Sequence, residues 1–548
     1  MAMLRKTHLI IASAALSYYL AHHWSTYSVK GSYGLTFVAV SVLLLTSRYI
    51  YRHILYPKLL SPLRDIPVVP GGTFFNGHGW QILKETTGLP HRRWVHSVKH
   101  NGLIRYHYFG NIERVMVASP ETLREVLVTR CYDFEKPPLA RVNLGRLLGV
   151  GVLVAEGDEH KIQRKNLMPA FQYRHIRDLY PVFWEKSKLM VDAVTNEIAE
   201  DQRKIQTPGG YSIVNFGDWL SRCTLDIIGL AGMGFDFNAI ADPNNELIKT
   251  YKNIFNPKGF SVKVFFVLNQ VIPTWLFEKL PIKRNLEVVE AASVVRSVSR
   301  DLIKHKQTKM AEKPDVIDKD IISVALSSGV FSVENLVDQC MTFLAAGHET
   351  TATATSWALL ELCRQPSIQA RLREEIRTLL PSPSSTVPLT ADLVDKLPYL
   401  HAVCNEVLRF YSPVPLTRRV AIKDTVVGGH PLPKGTEIII APWATNFDSS
   451  LWGSDADKFN PDRWMGEKRA NTGGAESNFA NLTFLHGPRS CIGLGFAKAE
   501  FSVLLASIVG SFEFEFGSEE FRGTEAQTGI VARPKGGVTL KMRVLDGW

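Results

Sequence analysis

Phe484-Leu485-His486-Gly487-Pro488-Arg489-Ser490-Cys491-Ile492-Gly493 stands near the C-terminus, ahead of an apolar run over residues 496–509. A cysteine just before a helix has its thiolate favoured by the positive N-terminal end of that helix. Backbone N–H groups of such a loop can donate to the sulfur. Gly487 and Gly493 permit tight turns and close approach of backbone to a flat partner. Arg489 offers a charge-assisted hydrogen bond to an anionic group, and Phe484 can cover the sulfur side and keep water away. One cysteine and one glycine would mean little, but in the whole pattern F-x-x-G-x-R-x-C-x-G each fixed residue has a role if Cys491 is a metal-ligating thiolate. Cys131, Cys223, Cys340, Cys363 and Cys404 have no comparable setting and form no C-x-x-C pair. They read as buried, reduced thiols facing a reducing compartment rather than as a disulfide framework.

The 548 residues, 45% hydrophobic and 21% charged, have globular rather than disordered composition. A core large enough to enclose a cofactor is available at this size. The net charge of +10 suits a membrane surface or an acidic partner. Without a basic run or zinc-finger spacing, nucleic acid is not an expected partner.

Residues 7–29 lack Asp, Glu, Lys and Arg, and so do residues 31–47. The first stretch is long enough to span a bilayer but diluted by His, Ser and Tyr; the second is more apolar and shorter. An uncleaved anchor fits better than a signal peptide, because no small-residue cleavage site precedes the second stretch. Arg5 and Lys6 lie before the pair, Arg48, Arg52, Lys58 and Arg64 after it, and Lys30 between. Two spans of about 7–29 and 31–51 would then place both ends in the cytosol; a single span with an interfacial first stretch is the alternative. Residues 1–56 are thus read as membrane anchor. Pro57, Pro62, Pro67 and Pro70 make residues 57–72 a stiff, non-helical connector. Residues 73–548 show no linker and read as one catalytic domain. Its middle, from about 158 to 380, has helical periodicity. Short β-branched runs stand at residues 114–117, 436–440 and 538–544, so the fold class is mainly α with small sheets.

The ten-residue loop is the signature of the cytochrome P450 family, and the chain resembles that family from about residue 62 to its end. Glu406-Val407-Leu408-Arg409 matches the family's E-x-x-R helix. The pattern occurs six times here, so position decides: Glu406 is followed by Phe459-Asn460-Pro461-Asp462-Arg463-Trp464, and Cys491 lies 28 residues beyond Arg463. The resemblance implies a buried, structural triad of Glu406, Arg409 and Arg463 behind the ligand loop. Ala345-Ala346-Gly347-His348-Glu349-Thr350-Thr351, on an apolar helix starting near Val333, resembles the oxygen-activation segment. Its small residues would let the helix approach the haem. Thr350 would bond back to a carbonyl and open the helix locally, and Glu349 and Thr350 would deliver protons. In Glu159-His160-Lys161-Ile162-Gln163-Arg164, His160 replaces the family's Trp. Arg164 is expected on a haem propionate, with His160 either donating from the same helical face or lying on the surface. Arg419, with Arg418 as the neighbouring alternative, is a further propionate partner.

The resemblance implies haem b with Cys491 as axial thiolate and insertion of one oxygen atom of O2 into a lipophilic substrate. Electrons would come from NADPH through a separate flavoprotein reductase. It also implies an endoplasmic reticulum location with the body on the cytosolic side, and the overall look is that of fungal biosynthetic members. Substrate contacts are expected from the loop around residues 138–152, from Phe343 (unless it is core) and Ala346, from Val414 and Leu416, and from Ile530 in a turn near residues 528–531. Residues 230–300 should carry much of the specificity. Two rivals stay open: a member of the same fold that rearranges or dehydrates a peroxide without O2, which the Glu349–Thr350 pair argues against, and a non-catalytic membrane haem protein. The sequon Asn481-Leu482-Thr483 is expected to be unglycosylated in a cytosolic body.

Overall fold

Ser332 caps a helix by accepting from the Asn335 N–H at 3.2 Å, and the helix runs Val333–Arg364 until Pro366 opens the next, Pro366–Leu379. The long helix is buried on nearly every face, which is why it is apolar or small all round. It packs against Phe216–Ile227, Lys283–Glu312 and the C-terminal helix Leu494–Ser511. The last of these is as apolar as a membrane span yet largely buried, a core helix. The computed structural model describes residues 6–205, 208–255, 276, 280, 282–312, 320–527 and 529–548. Much of the specificity region between residues 256 and 281 lies outside the described residues.

The three β-branched runs are strands. Glu113–Val117 pairs antiparallel with Leu103–His107 and parallel with Glu437–Ile440. Glu437–Ile440 in turn pairs with Thr417–Ala421, whose other edge takes Phe134–Glu135. Thr539–Val544 lies between Ser212–Asn215 and Phe512–Phe516 in a second sheet. The first sheet matters most for the site. Its register Glu135↔Val420 sets residue 136 beside Arg419.

At the N-terminus, Lys6–His23 and Tyr33–Ile50 are helices that pack on each other. Ser13 and Ser17, one turn apart, are buried in the described packing together with Thr36 and Val40. Two of the residues that dilute the first stretch, Ser13 and Ser17, are therefore small groups admitting close helix contact, while Ile10, Ile11, Val42 and Leu43 face outward. The second helix continues through Leu60 in wide π-type turns, as the Ser61 N–H to Tyr56 O bond of 2.8 Å records. Over Tyr33–Leu60 it is long and apolar enough to cross a membrane.

The connector read from its prolines is corrected here. Pro57 sits inside the helix, where the π-type turns absorb its missing N–H. Beyond Leu60 the chain is already part of the body: Leu63, Ile66 and Val69 are buried, Val68 bridges Arg105, and the Ser61 hydroxyl donates to Glu113 at 2.8 Å. The expected loop at 138–152 is mostly helix, Pro138–Leu148, because Pro137 and Pro138 pre-set its first turn. It docks on the long helix through Val150 N–H to Asp338 (3.0 Å), Val152 N–H to Gln339 (2.9 Å) and the Thr342 hydroxyl to Leu148 O (2.9 Å).

Candidate haem-thiolate site

The ligand loop turns back on itself through the Cys491 N–H to Phe484 O bond of 2.8 Å and the Ser490 N–H to Gly487 O bond of 3.0 Å. Gly487 has φ +76°, and a Cβ there would run into the Leu127 carbonyl oxygen, so only glycine fits. Gly493 differs: its φ is −87°, and a Cβ would meet only the Phe171 ring at 3.8 Å. Neither the turn nor the surrounding protein requires glycine at 493, which leaves close approach of a bound group as its reason. Five of the six cysteines are buried and Cys491 is accessible. Its sulfur is nevertheless enclosed by protein: burial pushes the thiol up, while the Gly493 N–H and the Arg164 charge pull it down. The helix Leu494–Ser511 begins three residues later and aims its positive end at the loop.

Behind the loop, Glu406 and Arg409 are completely buried. Arg409 donates to both oxygens of Glu406 at 2.9 and 2.7 Å, and to the carbonyls of Asn446, Ala456 and Lys458 at 2.7–2.9 Å. Arg463 reaches Glu406 at 3.4 Å and Asp455 at 2.8 Å. The Asn460 N–H (2.8 Å) and Trp464 Nε1 (2.9 Å) donate to the same carboxylate. Asn446 passes this framework to the loop. Its amide nitrogen donates to Thr483 and its oxygen accepts the Leu482 N–H, while the Thr483 hydroxyl donates to Leu408 O at 2.7 Å. The sequon's threonine is thus a structural member of the loop's support.

The expected propionate partners gather in one cluster. Arg164 donates to Ser490 O at 2.6 Å and to the Ser490 hydroxyl at 3.2 Å, gripping the residue before Cys491. Arg489 forms an ion pair with Glu156 and donates to Phe134 O at 3.1 Å. Arg419, and not Arg418, belongs here. Strand alternation turns Arg419 inward, where burial first and Arg489 second bring it down to about 10, and Arg418 lies 4.0 Å from Glu437. His160 is buried, not on the surface, with Nδ1 3.3 Å from the Tyr132 hydroxyl. Burial, then Arg489, Lys136 and Arg164, lower it to about 4. Lys136 and Glu156 were not legible in the sequence. The Lys136 ammonium lies 3.6 Å from Glu156, and burial with Arg419 and Arg489 nearby lowers it to about 7.

Lys136, Arg419 and Arg489 thus gather around the single carboxylate of Glu156, with Arg164 nearby, bonded to the ligand loop at Ser490. Buried charge of one sign is costly until it is compensated. An excess of positive charge beside an enclosed thiol fits a metal-bearing group with two carboxylates, as haem has.

On the long helix the Thr350 hydroxyl donates back to Ala346 O at 2.8 Å, as expected. Gly347 serves protein packing: a Cβ would lie 2.6 Å from Ile228 Cγ1. Ala346 is exposed, like Cys491, whereas its neighbours Leu344 and Ala345 are buried. Glu349 is buried, with Oε1 2.5 Å from the Arg533 guanidinium and Oε2 3.8 Å from His348 Nε2. His348 Nδ1 donates to Leu344 O, so this ring is held inside the protein. Of the expected substrate residues, Phe343 is core, packed 5.7 Å from the Phe171 ring. Val414 and Leu416 are half-buried, and Ile530 is exposed. The turn carrying Ile530 is pinned by Ala532 N–H to Pro413 O (2.8 Å) and Trp357 Nε1 to Ala532 O (2.7 Å). This brings the 414–416 segment, the C-terminal turn and the long helix together.

Comparison with known proteins agrees with this geometry. The family model described as Cytochrome P450 matches residues 67–542. The chain is 46% identical to the cytochrome P450 monooxygenase sphH of Aspergillus fumigatus, over 95% of each protein. It is 40% identical to the cytochrome P450 monooxygenase FUM15 of Gibberella moniliformis, over 91% of each. With the cytochrome P450 monooxygenase ALT8 of Alternaria alternata it shares 39% identity, over 91% of this chain and 93% of that one. An accessible thiol in a supported loop, a cluster of buried cationic groups beside it, and a match over most of the length lead to one assignment: the chain belongs to the cytochrome P450 family, haem-thiolate oxidoreductases that incorporate molecular oxygen.

Proposed function

We propose that this protein is a membrane-bound monooxygenase acting on a lipophilic substrate in a fungal biosynthetic pathway, with NADPH electrons delivered by a separate flavoprotein reductase. The substrate C–H bond is replaced by C–OH. One oxygen atom of O2 enters the product and the other leaves as water, with two electrons and a proton supplied by NADPH and a further proton from solvent. Bound haem would supply dioxygen binding and O–O cleavage, which thiolate ligation favours. Cys491 is the proposed ligand, kept in place by Arg164 through Ser490 and by the Glu406 framework through Asn446 and Thr483. Arg164, Arg419, Arg489, His160 and Lys136 would hold the propionates, with Phe484, Gly487 and Gly493 shaping the loop. Thr350 and Glu349 hold and move protons on the opposite face, and Ala346, Val414, Leu416 and Ile530 border the substrate. Tyr33–Leu60 would anchor the protein, with Lys6–His23 packed on it as a second span or an interfacial helix; the basic residues flanking the pair support a body on the cytosolic side of the endoplasmic reticulum.

The accessible, enclosed Cys491 thiol carries this reading. The test is the reduced carbon-monoxide difference spectrum of the full-length protein, followed by NADPH- and reductase-dependent oxidation of a panel of lipophilic metabolites. The red-shifted Soret band of thiolate ligation is expected in the wild type and absent in Cys491→Ala. A retained band in that variant would mean another ligand. Turnover of a hydroperoxide without NADPH, together with no NADPH-dependent oxidation, would replace oxygen insertion by peroxide rearrangement.

A further inference from the structure

The Glu349 carboxylate faces two basic side chains. Its Oε1 is 2.5 Å from Arg533 Nη2, and its Oε2 faces His348, whose ring is turned by the bond from Nδ1 to Leu344 O. The glutamate side chain is 6% exposed and the arginine 20%. A buried carboxylate is stable as an anion only when paired. Arg533 is far from Glu349 in sequence and belongs to the C-terminal turn, where the Gln527 N–H donates to Arg533 O at 2.7 Å. The bonds Ala532 N–H to Pro413 O and Trp357 Nε1 to Ala532 O lock that turn against the 412–416 segment and the long helix. Trp357 stands two helical turns beyond Thr350. The arginine is therefore delivered by a rigid frame to one oxygen of the acid next to Thr350.

We propose that Arg533 is a positioning residue for proton delivery, fixing the Glu349 carboxylate beside Thr350 and tying it to the C-terminal turn. This rests on the monooxygenase reading. Arg533 itself exchanges no proton. It holds the carboxylate in one orientation, so that Glu349 can relay solvent protons toward reduced dioxygen. Displacement of the turn would displace the acid with it.

The test needs no identified substrate, because dioxygen is the probe. Full-length wild type, Arg533→Gln, Arg533→Lys, Glu349→Gln and the double variant are loaded with haem and supplied with NADPH and reductase. NADPH and O2 consumption and peroxide release then give the ratio of peroxide (two electrons per O2) to water (four electrons per O2). Melting midpoints of the same five proteins read the ion pair independently of turnover. Arg533→Gln should shift the peroxide-to-water ratio at least about threefold in the same direction as Glu349→Gln, a small part of what a placed proton donor contributes. The double variant should go no further than Glu349→Gln, and Arg533→Lys should recover most of the ratio. In the melts, the two single losses should be non-additive. A wild-type ratio in Arg533→Gln beside a shifted ratio in Glu349→Gln would overturn the proposal. So would a ratio that follows the melting midpoint across all five proteins, with no change in the ratio beyond what lost folded protein accounts for, since that would make Arg533 a structural residue only. If Arg533→Gln does not fold, the charge-neutral double variant and Arg533→Lys carry the comparison. Absence of the thiolate Soret band in the wild type is a separate failure, that of the monooxygenase reading itself.

Discussion

Glu406→Gln is the sharpest test of the frame behind the ligand loop. The substitution keeps the shape and removes one charge. Glu406 accepts from Arg409 twice, from Asn460 N–H, from Trp464 Nε1 and, at longer range, from Arg463. An amide has one acceptor oxygen, and its NH2 would point donors at donors. Arg409 would be left buried without its counter-charge. Breaking one side of a buried pair costs about 3–5 kcal/mol. Arg409 keeps three backbone carbonyl acceptors, and Arg463 keeps Asp455, so the lower end, about 3 kcal/mol, is expected. Against a total stability on the order of 5–15 kcal/mol this is a large fraction. The damage should reach the ligand, because Asn446 accepts the Leu482 N–H and donates to Thr483. The assay pairs denaturant unfolding with the reduced carbon-monoxide spectrum. The variant should unfold at lower denaturant and lose much of the red-shifted Soret band. Destabilisation below about 1 kcal/mol with an intact band would show that the triad is neither strained by charge loss nor coupled to the loop.

Three further outcomes are expected. Thr350→Ala removes a half-buried methyl and the hydroxyl bonded to Ala346 O, so stability should change by only about 1 kcal/mol while peroxide release outruns product; unchanged coupling would remove Thr350 from proton handling. His160 titrates near 4 when folded against 6.5 when free, chiefly through burial. The unfolded chain therefore binds more protons between those values, and stability contributed above pH 6.5 is lost as pH falls through about 4. In the haem-free protein, His160→Trp should lose less stability between pH 7 and pH 5 than the wild type, and an equal loss in both would place the acid sensitivity elsewhere, at His91 or His107, which burial lowers to about 3 and about 4. Finally, a chain starting at residue 61 should fold, whereas one starting at residue 73 should not. The second loses Leu63, Ile66 and Val69 from the core, worth about 5 kcal/mol together at roughly 1.5–3 kcal/mol each; a cooperative melt of the shorter chain would refute this.

Much of this protein was legible in one dimension, and the reason is local. Cys491, Gly487 and Phe484 act through a short loop, the Thr350 hydroxyl reaches a carbonyl one turn back, and Glu406 and Arg409 are neighbours on one helix face. Such relations follow from helix and turn geometry, so residue type and spacing specify them. The strands and the apolar Tyr33–Leu60 segment follow from pattern in the same way. Chain pairing over long separations decided the rest. Lys136 meets Arg419 because Phe134–Glu135 pairs with Thr417–Ala421, and Arg489 meets Glu156 across more than three hundred residues. His160 is interior because its helix face turns toward that cluster, and Arg533 reaches Glu349 because the C-terminal turn is pinned to the long helix. A charge in a sequence carries no sign of which distant charge will neutralise it; packing alone settles that. Sequence by itself determined the family, the candidate ligand Cys491 and the order of the parts. The tertiary structure determined which cations gather beside the ligand loop and which arginine pairs with Glu349, because a buried charge is costly until it is paired and only packing brings distant partners together.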